Sequence, residues 1–228
     1  MKSLCSPLLA LTVIMCAIAC AGKAVQPVAG RYDASGSDLE ASDYVHVYAS
    51  WTRHNRMYDG LENKVFVTGT FLTPEMRQAV RITYPDVIGR GGMVTRDELA
   101  GPPPSDVTFF ISMYTADRKW NDLQTPTSIW RVSLQTATGE VKPSSVTRIL
   151  KDQNLLTVFP TIGRSDECYL IRFPADAPNG AAMIGETTTN VGLRLASGVG
   201  STTLDFSMIR GEAPVPTSGQ PPFIPAVR

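Results

Sequence analysis

The chain has 228 residues, with 21 Lys+Arg against 21 Asp+Glu and only two histidines. A formal net charge of zero and the absence of any Lys/Arg-rich run argue against nucleic acid as a partner, because nothing draws a polyanion from a distance. The length accommodates one large β domain or two small ones.

Lys2 is followed by an uncharged run from Ser3 to Gly22, and the next charge is Lys23. Leu8 to Ala19 (LLALTVIMCAIA) is its apolar centre, the length of a signal-peptide hydrophobic region, and it ends in small residues that an export peptidase can read. Ala17-x-Ala19 fits an ordinary signal-peptidase site, which would release a soluble chain. The same run, left uncleaved, is long enough to anchor in a bilayer, although Pro7 and the hydroxyls of Ser3, Ser6 and Thr12 weaken such a span.

Ala17-Ile18-Ala19-Cys20 also resembles the lipobox of bacterial lipoproteins, in which a small residue precedes a cysteine that is acylated and becomes residue one. Ala19 and Cys20 match those positions, while Ala17 departs from the leucine usual three residues before the cysteine. Bulky Met15 makes Cys16 the poorer candidate. The resemblance covers the first 20 residues and implies a lipid on Cys20; Ala21, rather than Asp, then implies sorting to the outer membrane. Processing there removes Lys2 alone among the charged residues and leaves a net charge of −1. Cys168 remains as the single thiol, so no disulfide framework forms; without acylation, Cys20 and Cys168 are free to pair. Within Cys-Tyr-Leu-Ile-Arg-Phe, Cys168 reads as a small buried hydrophobe.

Residues 20–43, rich in Gly, Ser and Ala, read as a tether reaching roughly 25 Å. Period-2 patterning then recurs. Val45, Val47, Ala49 and Trp51 alternate with Tyr44, His46, Tyr48 and Ser50 as a first strand, followed by a turn at Thr52–Arg56. Lys64–Leu72 has the β-branched and aromatic composition of a half-buried strand. Val107, Phe109, Ile111 and Met113 share one face of the next, and Trp130, Val132 and Leu134 one face of another. Further strands are expected at Val146–Leu150, Leu155–Phe159, Cys168–Phe173, Asn190–Ala196 and Thr202–Ile209. Asp59-Gly60, Thr138-Gly139, Asn179-Gly180 and Ser197–Ser201 carry turn chemistry.

One helix is signalled. Thr73 caps it, Pro74 suits its first position, Glu75 favours its positive end, and Met76, Ala79, Val80 and Tyr84 line one face before Pro85. A second helical turn fits Thr95-x-x-Glu98 before Gly101. The connection from Thr73 to Asp106 is far longer than a hairpin needs, and its glycines and prolines (Gly89, Gly91, Gly92, Pro102–Pro104) discourage regular structure. Tyr84, Ile88, Arg90, Met93, Val94, Arg96 and Leu99 are its candidate interaction residues, apolar contacts with a polar rim. The bland alternative is a loop packed against an open end of the fold. Gly211–Arg228, with five prolines, reads as an extended tail.

Motifs for chemistry are sparse. His46 and His54 have no ligand spacing, G-x-S-x-G is absent, and Gly89-Arg90-Gly91-Gly92 lacks the Lys-Ser/Thr of a phosphate loop. Asp117, Asn121 and Asp122 could offer oxygens to calcium, but Arg118 and Lys119 stand among them; Trp120, if exposed, could stack on a sugar. No metal, cofactor or catalytic residue is expected. The sequence therefore predicts a signal peptide at 1–19, the acylated Cys20 and tether at 20–43, a single β-sandwich of about nine strands at 44–210 with one short helix in a long crossover (a closed barrel being the second choice), and a tail at 211–228. The functional expectation is an envelope lipoprotein, held to the membrane by its lipid and binding another envelope protein. The alternatives are an extracytoplasmic hydrolase or carbohydrate-active protein with an unrecognised site, and a secreted structural protein.

Overall fold

The computed structural model describes residues 43–59, 62–85, 99 and 105–208. The signal peptide, Cys20, the tether, most of the crossover with its second helical turn, and the Pro-rich tail lie outside the described residues.

In chain order the elements are α1 (Tyr44–Trp51), β1 (Thr52–Asp59), β2 (Glu62–Phe71), α2 (Pro74–Thr83), β3 (Val107–Thr115), a 3-10 turn at Arg118–Trp120, β4 (Arg131–Thr136), β5 (Gly139–Val141), β6 (Ser145–Ile149), α3 (Gln153–Val158), β7 (Glu167–Phe173), β8 (Asn190–Ser197) and β9 (Gly200–Ser207). All strand pairs are antiparallel. One sheet has the order β1-β2-β3-β7-β6, the other β5-β4-β8-β9. The fold is thus the expected two-sheet, mostly β arrangement, and among the described residues no barrel closes.

The sheets meet through alternate residues. Phe71 and Phe109 stack at 4.6 Å on the five-stranded sheet, and both contact Phe206 of β9, at 5.9 and 5.4 Å between ring centroids. Approach is closest at Gly69, where a Cβ would lie 2.6 Å from Leu204 Cδ1 and 2.9 Å from Ile111 Cδ1. Glycine is required there for interlayer space rather than for turn conformation.

The far face of the five-stranded sheet is covered as well. Phe110 stacks on Phe159 at 4.0 Å, just past α3, and the Tyr44 and Tyr48 hydroxyls of α1 reach the Val158 carbonyl and Thr161. Trp51 Nε1 donates to Glu75 at 2.8 Å and joins α1 to α2. Hence β3 is buried along nearly its whole length on both faces. Helices on one side of a sandwich make three layers.

Two expected strands are helices. At 44–51 the buried residues are Tyr44, Val47, Tyr48 and Trp51, a helical spacing, while Val45 is 47% exposed. At 153–158 the Asp152 carboxylate accepts from Leu155 N at 2.7 Å and caps a short helix that buries Leu155 and Val158. Conversely, the turn expected at Thr52–Arg56 is part of β1, while the turn expected at Thr138-Gly139 joins β4 to the short strand β5. The short helix expected after Thr73 forms as α2: Thr73 Oγ1 accepts from Met76 N, and Met76, Ala79 and Val80 are buried.

Candidate functional site

The sequence-selected residues do not assemble into one constellation among the described residues. Leu99 is 3% exposed and belongs to the core. Tyr84 is partly buried against it, edge-on to Tyr44 at 4.9 Å, and burial raises its hydroxyl pKa. Ile88, Arg90, Met93, Val94 and Arg96, like Cys20, lie outside the described residues.

The acidic turn is divided among structural bonds. Asp117 accepts from Lys119 N and pairs with Lys119 Nζ at 2.7 Å, which lowers its pKa. Asn121 Nδ2 donates to the Met113 carbonyl, and Asp122 accepts from Ser128 Oγ at 2.8 Å. Trp120 is half-buried, with Lys119 over its ring, and its carbonyl accepts from Trp130 Nε1. Among the described residues no three His, Cys, Asp or Glu side chains are grouped to hold a metal ion.

The most chemically varied row runs across the five-stranded sheet. Strand register puts His54, Thr68, Ser112 and Cys168 side by side on the helix-covered face. Ser112 Oγ donates to Asp166 Oδ2 at 2.8 Å, and Gly163 N donates to the same oxygen at 2.8 Å. Ser112 and Asp166 are 2% and 4% exposed. Two strand spacings, about 10 Å, separate β1 from β3, so His54 stands away from Ser112 with Thr68 between. The serine proton is directed at a carboxylate rather than at an imidazole, so a nucleophile–base pair is not formed here.

The remaining groups in this row agree with a structural role. Burial pushes the Cys168 thiol up to about 12, so it stays protonated and unreactive at neutral pH. The His54 pKa is lowered, first by burial against the sheet and then by Arg56 and Arg53, although the residue reaches solvent. Thr68 Oγ1 is buried without a hydrogen-bond partner.

A second polar network joins the layers. Arg53 Nε donates to the Asp205 carbonyl at 3.0 Å, and one of its Nη atoms reaches the carbonyls of Ser50 and Thr52 at 2.9 Å and of Ala49 at 3.3 Å. The guanidinium also lies over Phe206 at 5.5 Å. This clamp fastens the end of α1 and the edge of β1 to β9. Nothing in the polar run Thr52–Arg56 signals it, since the acceptors are backbone atoms distant in the chain.

These features define an antiparallel β-sandwich with a helical layer on one face. No protein-family model, curated protein or solved structure matches the chain.

Proposed function

We propose that the chain is an envelope-anchored binding module: a sandwich presented from a membrane by a lipid on Cys20 and the tether that follows it. The observation that carries this reading is Ala19-Cys20 closing the uncharged run Ser3–Gly22. The two-sheet fold is compatible with such a role, and Arg53 and Trp51 are among the polar side chains that join its layers. No helix among the described residues is long and apolar enough to cross a membrane.

Cys20→Ser in the full chain, expressed in a bacterium with a lipoprotein-processing pathway, tests the proposal. Intact mass and membrane fractionation should show an acylated mature chain for the parent and an unprocessed precursor for the variant. A mature parent chain that begins at or beyond residue 20 without lipid and stays soluble refutes the anchor. As for the partner surface, the crossover residues Ile88, Arg90, Met93, Val94 and Arg96 remain the sequence-based candidates. Replacing residues 88–96 by a Gly/Ser linker, which spares the buried Leu99, should leave folding intact and remove partner capture; unfolding would make the segment structural.

A further inference from the structure

Four strands form the sheet edges: β1 and β6 in one sheet, β5 and β9 in the other. An unprotected edge is a template for another strand, and proteins blunt edges by shortening, covering or charging them. Strands β1 and β9 approach each other, joined by the Arg53–Asp205 bond. β5 has three residues. β6 pairs with β7 on one side, and among the described residues no strand lies on its other side. Alternate residues of an antiparallel edge strand turn their N–H and C=O groups outward, so Val146 and Arg148 aim theirs away from β7, where among the described residues no strand meets them.

The chemistry around this edge is one-sided. Val141–Lys151 contains Lys142, Arg148 and Lys151 and no carboxylate. Exposed Arg164 lies where Lys151 Nζ meets its carbonyl. Glu167 pairs with Arg148 at 2.6 Å, so those two charges offset each other, and Asp152 caps α3, which leaves Lys142, Lys151 and Arg164 as the basic side chains there. Leu150, directly after the strand, is 57% exposed, and Leu156 adds a second exposed leucine on α3. Basic side chains, an exposed leucine and, among the described residues, a strand edge without a neighbour occur together in a chain of zero net charge.

We infer that the outer edge of β6 docks an extended acidic segment of a partner protein, which adds as a sixth strand to the five-stranded sheet. Main-chain bonds give such docking its affinity, and flanking side chains give it specificity. A second copy of this chain fits poorly, because edge-to-edge pairing would bring two sets of Lys142, Arg148 and Lys151 together. The chain's own Gly211–Arg228 also fits poorly, since five prolines deprive it of ladder donors and Glu212 is its single acid.

The inference rests on the binding-module reading and gives the module a second contact surface, apart from the crossover. It is tested with the full mature chain and three fluorescein-labelled peptides: alternating threonine and glutamate around a central leucine, the same with lysine for glutamate, and the acidic peptide N-methylated at alternate residues. Anisotropy should show the acidic peptide binding about tenfold or more tighter than either other, with affinity falling as salt rises. Amide shifts should concentrate at Ser145–Leu150. Lys142→Glu with Arg164→Glu, both at exposed positions, should weaken binding while near-ultraviolet circular dichroism stays unchanged. Equal binding of the acidic and basic peptides, undiminished binding of the N-methylated one, or no binding of the acidic peptide at about 1 mM, the weak end of peptide recognition, overturns the proposal. Concentration-dependent dimers abolished by Arg148→Pro, which removes an outward N–H of β6, would replace the acidic partner with a second copy and equally overturn it. A chain that binds the peptide but carries no lipid refutes the anchor alone; a lipidated chain indifferent to the peptide refutes the edge alone.

Discussion

Arg53→Met keeps the aliphatic stem and removes every donor of the clamp that joins α1, β1 and β9. The carbonyls of Ser50 and Thr52 lose charged donors at 2.9 Å in partly buried surroundings, where such bonds contribute about 1.5–3 kcal/mol each. The bonds to Ala49 and Asp205 are exposed, so water replaces much of them. The contact over Phe206 adds about 0.5–1 kcal/mol. Partial rehydration reduces the total, and the expected loss is about 2–3 kcal/mol. Lysine carries the charge without the planar fork, so Arg53→Lys should recover less than half of it. Urea unfolding followed by tryptophan fluorescence measures the effect, as a midpoint lowered by about 1 M if the slope is about 2 kcal/mol/M. Hydrogen exchange should show the amides of α1 losing protection before those of β3. A loss below about 0.5 kcal/mol, or a lysine variant as stable as the parent, refutes the clamp.

Three other perturbations have defined signs. Thr68→Val replaces a buried, unpartnered hydroxyl by an isosteric methyl and should raise stability by about 0.5–1.5 kcal/mol; a loss on the same unfolding curve would mean the hydroxyl has a partner after all. Gly69→Ala places a methyl between the sheets against Leu204 and Ile111 and should cost about 1–2 kcal/mol, part of it recovered by Leu204→Val; an unchanged midpoint would show that the interlayer gap opens freely. His54 holds its proton less tightly folded than unfolded, so the unfolded chain binds more protons as pH falls below about 6.5, and stability must decline there. His54→Gln should flatten that decline, and an imidazole NMR titration midpoint at or above 6.5 would contradict it.

Much of the architecture was readable from period-2 patterning wherever one face is wet. Trp130, Val132 and Leu134 alternate with polar residues, and β4 lies almost where they place it. The Ser197–Gly200 hairpin and the Thr73 cap were legible because turns and caps are local chemistry. The errors fall where apolar residues occupy both faces. In Tyr44–Trp51 the set 45, 47, 49, 51 and the set 44, 47, 48, 51 are both apolar, so eight residues fit either period, and burial by α2 and Phe159 decides for helix. The Asp152 cap was a missed helix signal before Leu155. β1 was illegible for the opposite reason: Thr-Arg-His-Asn-Arg is polar, and its strand form comes from eight register pairs with β2 rather than from its own propensity. The β6 edge was visible only as a short strand. Its position at a sheet edge is a property of topology, which periodicity does not encode.

That topology relates the two proposals physically. The chain enters the sandwich through α1, which packs on α2 and leads directly into β1, one edge of the five-stranded sheet. β6 is the opposite edge, four strand spacings or about 19 Å away. A strand added beyond β6 therefore extends the sheet away from the point where the tether joins, and neither the Arg53 clamp nor the tyrosines of α1 need move to admit it. Docking at β1 would instead have to displace β9, to which Arg53 fastens it. The clamp closes the β1 edge, beside α1 where the described chain begins, and among the described residues the β6 edge has no neighbouring strand. Under the two proposals, the anchor and the docked strand therefore fall at opposite edges of one sheet.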